Sequence, residues 1–184
     1  KSWNKILFVN DTTGFIDLQM DPKHPDTLYA AAWQRFRFGG GDMAESGPES
    51  GIYKTTDGGK RWSKLSNGLP KEDKSKITLA VGRNNSNIVY AAILTGEPAA
   101  GGKRTIDTGG VFRSTDAGKT WTRMNPTMTS YYYDRINVDP SDDNRIWMPV
   151  FDLMVSTDSG KTLVKANLKH VHNDLHGIWI DPND

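Results

Sequence analysis

The chain has 184 residues, with 23 basic and 22 acidic side chains that give a net charge of +1 at pH 7. Because the two signs are interspersed and no segment has the apolar length of a transmembrane helix, we expect neither nucleic-acid binding nor membrane insertion. The sequence contains no cysteine, so redox chemistry indicates no compartment, and we expect no cofactor.

A pair of strands joined by a turn recurs along the chain. In the first pair, over 16–32, apolar residues alternate before a D-P-K-H-P-D turn, and a β-rich run follows it. Residues 77–93 repeat this pair without a gap, residues 134–147 are a third copy, and residues 176–184 are the beginning of a fourth. We therefore predict one strand on each side of every such turn.

Each complete strand pair is followed by a second pair, joined by a turn with the pattern Ser/Thr-x-Asp-x-Gly-Lys. Its copies, which we call the repeat turns, read T-T-D-G-G-K-R-W over 55–62, S-T-D-A-G-K-T-W over 114–121 and S-T-D-S-G-K-T-L over 156–163. We expect the aspartate to accept backbone N–H groups, the glycine to adopt a positive φ and the tryptophan to be buried. The residues with these predicted structural roles are Asp57, Gly59, Trp62, Asp116, Gly118, Trp121, Asp158 and Gly160.

Four antiparallel strands per unit, repeated along the chain, predict an all-β fold, namely a fragment of a β-propeller. Residues 1–3 align with residues 60–62, so the first residues are expected to be the last strand of a preceding blade. The predicted divisions are 1–11 (last strand of a preceding blade), 12–66, 67–125 and 126–168 (three blades) and 169–184 (start of a further blade). Because propellers have about 4–8 blades, we expect the remaining blades in the parent chain or in a protein partner.

In such a blade the first and third connections lie on one face, here called the bottom face, and the second connection and the link between blades lie on the top face. The lengths vary only in the top-face segments, where binding sites are usually found. The first long loop contains W-Q-R-F-R-F, whose Trp33 and Arg35 are candidates for stacking on a sugar or gripping an acidic peptide. For Phe36 and Phe38 we favour packing against the next blade.

Two links between blades supply further binding candidates, Tyr132 and Arg135 in the first and His172, Asp174 and His176 in the second. In an extended segment the last three alternate, so they would point the same way. Two imidazoles and a carboxylate suit a first-row metal ion or acid–base chemistry. Hydrogen bonding at the mouth of the propeller channel is the interpretation we favour, so we assign no metal site.

The repeat turns resemble the Asp-box, or bacterial neuraminidase repeat (BNR), family with its pattern S-x-D-x-G-x-T-W. The strand pair L-Q-M-D-P-K-H-P-D-T-L-Y-A-A-A-W together with D-G-G-K-R-W resembles the sortilin-like bacterial proteins that are often described as glycosyl-hydrolase-like. The resemblance implies a secreted, periplasmic or cell-surface location and a non-catalytic module that binds a protein, peptide or glycan through its top face. The alternative is a secreted glycoside hydrolase with part of its active site in other blades, for which Asp17 and Asp134 are candidates for a carboxylate pair across the channel mouth.

Overall fold

The protein is described by a computed structural model that covers residues 2–37, 43–96, 108–126 and 135–183. All regular secondary structure in these ranges is β, and no helix in them is long and apolar enough to cross a membrane. The strands are β1 Thr13–Met20, β2 Leu28–Gln34, β3 Phe36–Arg37, β4 Met43–Ala44, β5 Gly51–Thr55, β6 Ser63–Leu65, β7 Lys74–Val81, β8 Val89–Thr95, β9 Gly110–Ser114, β10 Thr122–Asn125, β11 Asn137–Val138, β12 Ile146–Pro149, β13 Leu153–Ser156 and β14 Val164–Lys165.

Twelve of these strands form three four-stranded antiparallel sheets. Their orders are β1-β2-β5-β6, β7-β8-β9-β10 and β11-β12-β13-β14, and we call the sheets blades 1, 2 and 3. The remaining pair, β3 and β4, forms a small hairpin in the top-face loop of blade 1. Consecutive strands are neighbours in every blade, so the prediction of an all-β fold built from four-stranded units is confirmed.

The hydrophobic core lies between the blades. One cluster joins Tyr29 and Ile52 of blade 1 to Leu79 and Phe112 of blade 2, and a second joins Val111 of blade 2 to strands of blade 3. Blade 2 therefore has a neighbour on each side, and every residue of β8 is buried. A sheet covered on both faces buries successive residues of one strand, which explains the almost continuous apolar run V-Y-A-A-I-L in β8.

Each repeat turn lies beside the turn between the first two strands of its own blade. A backbone N–H in the repeat turn donates to a carbonyl oxygen in that neighbouring turn at 2.9–3.0 Å in all three blades. The donor and acceptor pairs are Gly58 to Asp26, Ala117 to Asn87 and Ser159 to Asn144. Both kinds of turn thus lie on the bottom face, as predicted from the topology.

The aspartate of each repeat turn closes the turn from within. Asp116 Oδ1 accepts the Thr120 N–H at 2.8 Å and the Ser114 hydroxyl at 2.7 Å, and Asp116 Oδ2 accepts the Thr120 hydroxyl at 2.6 Å. These hydrogen bonds, the one from the Thr120 side chain foremost, lower the pKa of Asp116 to about 2. Asp57 and Asp158 accept the equivalent backbone N–H at 2.9 Å, so the predicted role of the aspartates is confirmed.

The two tryptophans of the repeat turns differ in burial, although both indole N–H groups donate to the glycine carbonyl of their turn at 3.1 Å. Trp121 is 5% exposed because it lies in the core between blades 1 and 2. Trp62 is only half-buried, since the cover on its side comes from a single segment that contains Leu7 and Val9. The expectation that Trp62 is as buried as Trp121 is therefore wrong.

Candidate functional site

Asp17 joins the first strands of blades 1 and 2. Its Oδ2 atom accepts the backbone N–H of Leu79 at 2.8 Å, and its Oδ1 atom accepts the side-chain amide of Gln19 at 3.0 Å. The first strands of adjacent blades thus lie side by side, as expected for strands that line the centre of a propeller. Asp134, the other candidate of the carboxylate pair, lies outside the described residues.

Trp33 lies near the end of β2 and anchors the small hairpin above it. The side chain is buried, and its indole N–H donates to the carbonyl oxygen of Glu45 at 2.5 Å. The guanidinium of Arg35 lies 4.9 Å from the centre of the indole ring. Because the ring is covered by protein, it does not present a stacking surface to a ligand.

The hairpin itself carries its side chains outward. Phe36 in β3 is about half exposed and Arg37 is exposed, so the expectation that Phe36 packs against the next blade is wrong. The hairpin stands away from blade 1 because Trp33 and Glu45 hold its base while β3 pairs only with β4. Phe38 lies outside the described residues.

The segment with His172, Asp174 and His176 is not extended. Asp174 has a φ of +79°, which interrupts the alternation on which the shared direction of the three side chains depended. His176 Nε2 lies 3.5 Å from Asp174 Oδ1, and His172 Nδ1 lies 2.5 Å from the carbonyl oxygen of Asn173. Across the described part of the chain, no three His, Cys, Asp or Glu side chains are placed to hold a metal ion.

This segment folds back on the short connection between β12 and β13. The N–H of Asp174 donates to the carbonyl of Phe151 at 2.8 Å, and the N–H of Leu175 donates to that of Val150 at 3.0 Å. Two top-face elements of blade 3 are thereby joined through their backbones. A small cavity forms where they meet, and its lining includes Leu153, Lys165, Leu168, Val171, His172 and Leu175.

Around this cavity several apolar side chains face solvent. Phe151, Leu168 and Val171 are each about half exposed, and the imidazole of His172 is exposed beside them. We call these four residues the blade-3 patch. The sequence interpretation missed Phe151; an aromatic residue in the middle of the tight turn V-F-D, where a polar residue is usual, was the signal.

Of the remaining binding candidates, Arg135 is exposed directly before the buried Ile136, and Tyr132 lies outside the described residues. Arg135 aligns with Asp17 and Thr78 in the other blades, so it belongs to the inner end of blade 3. The described residues therefore bring Leu168, Val171 and His172 together in one place. Trp33, Arg35 and Arg135 belong to other parts of the blades.

The most strongly perturbed carboxyl groups lie on the bottom face. Hydrogen bonds within the repeat turns lower the pKa of three aspartates to about 2, namely Asp57, Asp116 and Asp158. For Asp139, burial raises the pKa, but hydrogen bonds from Ser141 and Trp147 and the nearby Arg145 outweigh it and bring the pKa to about 2. This direction is opposite to the raised pKa that a general acid in glycoside hydrolysis requires.

No protein-family model matches the sequence, and no curated protein sequence does. Several solved structures do resemble the chain. The GH74 enzyme of Niastella koreensis is 24% identical with a TM-score of 0.54, and the match covers 83% of this chain and 22% of that one. The GH74 xyloglucanase of Xanthomonas campestris is 19% identical with a TM-score of 0.55, covering 83% of this chain and 20% of that one. YCF48 from Cyanidioschyzon merolae is 14% identical with a TM-score of 0.50, covering 85% of this chain and 38% of that one.

These structures are β-propeller proteins, and at this level of identity the likeness shows the fold alone. Together with the three four-stranded antiparallel blades, it shows that the chain has the β-propeller fold. The chain spans about a fifth of the GH74 enzymes and 38% of YCF48. Activities and ligands of those proteins are therefore not carried over with the fold.

Proposed function

We propose that this chain is part of a non-catalytic β-propeller module, similar to the sortilin-like proteins, that binds a protein, peptide or glycan through its top face. The observation that carries this proposal is the blade-3 patch. It combines exposed aliphatic and aromatic side chains with an imidazole on two segments that are tied together through their backbones. The resemblance of the repeat turns to Asp boxes supports an extracellular, periplasmic or cell-surface setting.

The patch has the chemical composition of a recognition surface. Exposed apolar side chains that are grouped on one surface mark interaction sites in soluble proteins. Here their backbone is held by hydrogen bonds from Asp174 and Leu175 to the β12–β13 connection, so little ordering entropy is lost when a partner binds. An aromatic ring such as Phe151 supplies contact area, and His172 adds a hydrogen-bonding group.

The arrangement of Asp17 argues against its use in catalysis. Both of its oxygen atoms accept hydrogen bonds from the protein, one of them from the backbone of the neighbouring blade. A carboxylate that must act on a substrate needs an oxygen atom directed at that substrate. We therefore assign Asp17 to the joining of blades 1 and 2.

A glycoside hydrolase is the second candidate function, and the likeness to two GH74 structures is the observation that favours it. In that case Asp17 and Asp134 would act as the carboxylate pair, together with residues in other blades. The Asp17→Asn variant separates the two functions, because an amide oxygen still accepts the Leu79 N–H but cannot act as acid, base or nucleophile. Loss of xyloglucan hydrolysis by the full-length parent with unchanged thermal stability would establish the enzyme and overturn our proposal.

Binding is tested with the full-length parent on a peptide library and a glycan array, followed by titration of the strongest ligand. We expect the double variant Phe151→Ala/Val171→Ala to weaken binding at least tenfold, since removal of interface anchors has effects of this size. Val164→Ala is the matched control, because Val164 is similarly exposed but lies on β14 at the outer edge of blade 3. Equal binding by all three proteins would exclude the blade-3 patch as the site.

A further inference from the structure

Blade 1 has an apolar face that is turned away from blade 2. On this face Ile16 is 41% and Leu18 is 60% exposed, whereas the equivalent residues of blade 2, Ile77 and Leu79, are 0% and 1% exposed. The side chains are of the same type at the same repeat positions, and what differs is the neighbour. Ile77 and Leu79 pack against blade 1, while Ile16 and Leu18 lack an equivalent cover.

The outer part of the same face is already covered by the segment 2–9. Leu7 and Val9 of this segment pack against Ala30, Ala32 and Tyr53 of blade 1. In blade 2 the equivalents of those three residues are covered in part by the outer strand of blade 1, through Leu65. The segment 2–9 thus does for blade 1 what an outer strand does for blade 2.

The glycines of the repeat turns locate this segment more closely. A Cβ atom placed on Gly118 would lie 3.0 Å from Cδ1 of Leu65, in the outer strand of blade 1. A Cβ atom placed on Gly59 would lie 2.7 Å from Cδ1 of Ile6, the residue that aligns with Leu65 in the repeat. The segment around Ile6 therefore occupies the place of an outer strand of a preceding blade.

An outer strand in this fold is normally paired. In each of the three blades it pairs with the third strand, as β6 does with β5, β10 with β9 and β14 with β13. Residues 2–9 form no strand with any part of the chain that the structure describes. An unpaired strand edge next to an uncovered apolar face is a surface that another sheet completes.

We infer that the uncovered face of blade 1 is the docking surface for three further strands of the same repeat, which precede Lys1 in the polypeptide. They complete one blade together with residues 2–9 and cover Ile16, Leu18 and Met20. The register supports this occupant, since Lys1-Ser2-Trp3 aligns with the last residues of a repeat turn. The surface facing it would be like that of blade 1 toward blade 2, with small and aromatic side chains such as Ala31 and Tyr29. The inference concerns assembly and is independent of what the top face binds.

The test supplies the missing strands from the chain itself. Residues 67–118 contain the first three strands and the repeat turn of blade 2, and joining Gly118 directly to Lys1 recreates a continuous repeat turn. In this fusion protein we expect slowed amide hydrogen exchange over residues 3–9 and a higher melting temperature than in the unfused chain. A second fusion protein with residues 8–59 as donor makes the result independent of how well one donor folds.

Leu18→Ala then reports on contact with the added blade. In the unfused chain it should lower the melting temperature by less than about 2 °C, and in the fusion proteins by about 5 °C or more, as for a buried leucine. Leu79→Ala is the matched control, because Leu79 is buried in every version and should lower the melting temperature throughout. An effect of Leu18→Ala that stays small in both fusion proteins, with residues 3–9 still exchanging freely, would overturn the inference. So would a dimer of the unfused chain that Leu18→Ala dissociates, because a second copy would then be the occupant.

Discussion

Truncation of the two repeat-turn tryptophans provides a quantitative test of how the blades are held together. Trp121 lies in the core between blades 1 and 2, and Trp62 occupies the same repeat position with only the segment around Leu7 and Val9 to cover it. Both indoles make the same hydrogen bond within their turns at 3.1 Å. The variants Trp121→Ala and Trp62→Ala therefore differ mainly in the apolar area that each removes from the core.

The expected magnitude follows from the buried area. A buried tryptophan removes about 150–250 Å² from water, which corresponds to about 4–6 kcal/mol at about 25 cal/mol per Å². Residual burial in the unfolded chain reduces this by about 10–40%, so Trp121→Ala should destabilise the protein by about 3–5 kcal/mol. For the half-buried Trp62 we expect about 1–3 kcal/mol on the same scale.

Equilibrium urea unfolding followed by far-ultraviolet circular dichroism measures both variants against the parent chain. The denaturant slope should remain unchanged in each, so that the shift in midpoint reports on stability. If Trp62→Ala is as destabilising as Trp121→Ala, the burial difference does not control the contribution of this residue. The account of the core as lying between adjacent blades would then be refuted.

Three further variants and conditions test the turns and the contact between inner strands. Gly118→Ala should destabilise by about 1–3 kcal/mol in the same assay, because its φ is +84° and a Cβ would lie 3.0 Å from Leu65 Cδ1, whereas Gly14→Ala, with open space around it, should have little effect. Because the pKa of Asp116 in the fold, about 2, is below its ordinary value of 3.8, its ionisation stabilises the fold above about pH 4, and this contribution is lost as the pH falls toward 2. Acid titration should therefore lower the melting temperature in that range, and less steeply for Asp116→Asn. Asp17→Ala should destabilise by about 1–3 kcal/mol, since it leaves the Leu79 N–H without its acceptor, and an unchanged midpoint would contradict the assigned role.

The repeat made the architecture predictable from the sequence. Three copies of one turn motif and three copies of one strand pair determined the strand order, the uniform bottom face and the hydrogen bonds of Asp57, Asp116 and Asp158. These features depend on interactions within about ten residues of one another, so they are encoded locally. The tight connection between β12 and β13 was predictable for the same reason, because the interval is too short for anything but a hairpin.

The candidate site was less predictable, since it depends on contacts between segments that have no repeat to define them. Phe36 was expected in the core, but it stands outward because the bond from Trp33 to Glu45 fixes the hairpin above the blade. The alternation of His172, Asp174 and His176 predicted a shared direction only for an extended backbone, and the positive φ of Asp174 removes that condition. Aspartate tolerates this conformation more readily than most residues, a possibility that alternation alone does not reveal.

The uniform bottom face also explains why variation is confined to the top face. The carbonyl oxygen of Ala117, in the repeat turn of blade 2, accepts both the Tyr29 hydroxyl at 3.0 Å and the Lys54 ammonium at 2.7 Å from blade 1. The next junction is built in a related way, because the buried Tyr90 hydroxyl donates to the carbonyl of Asp143 in blade 3 at 2.9 Å. A bottom-face turn therefore closes its own blade and at the same time accepts hydrogen bonds from the preceding blade. A change in its length would disturb two interfaces at once, whereas the top-face segments connect strands without this double constraint, and recognition can change there while the ring is preserved.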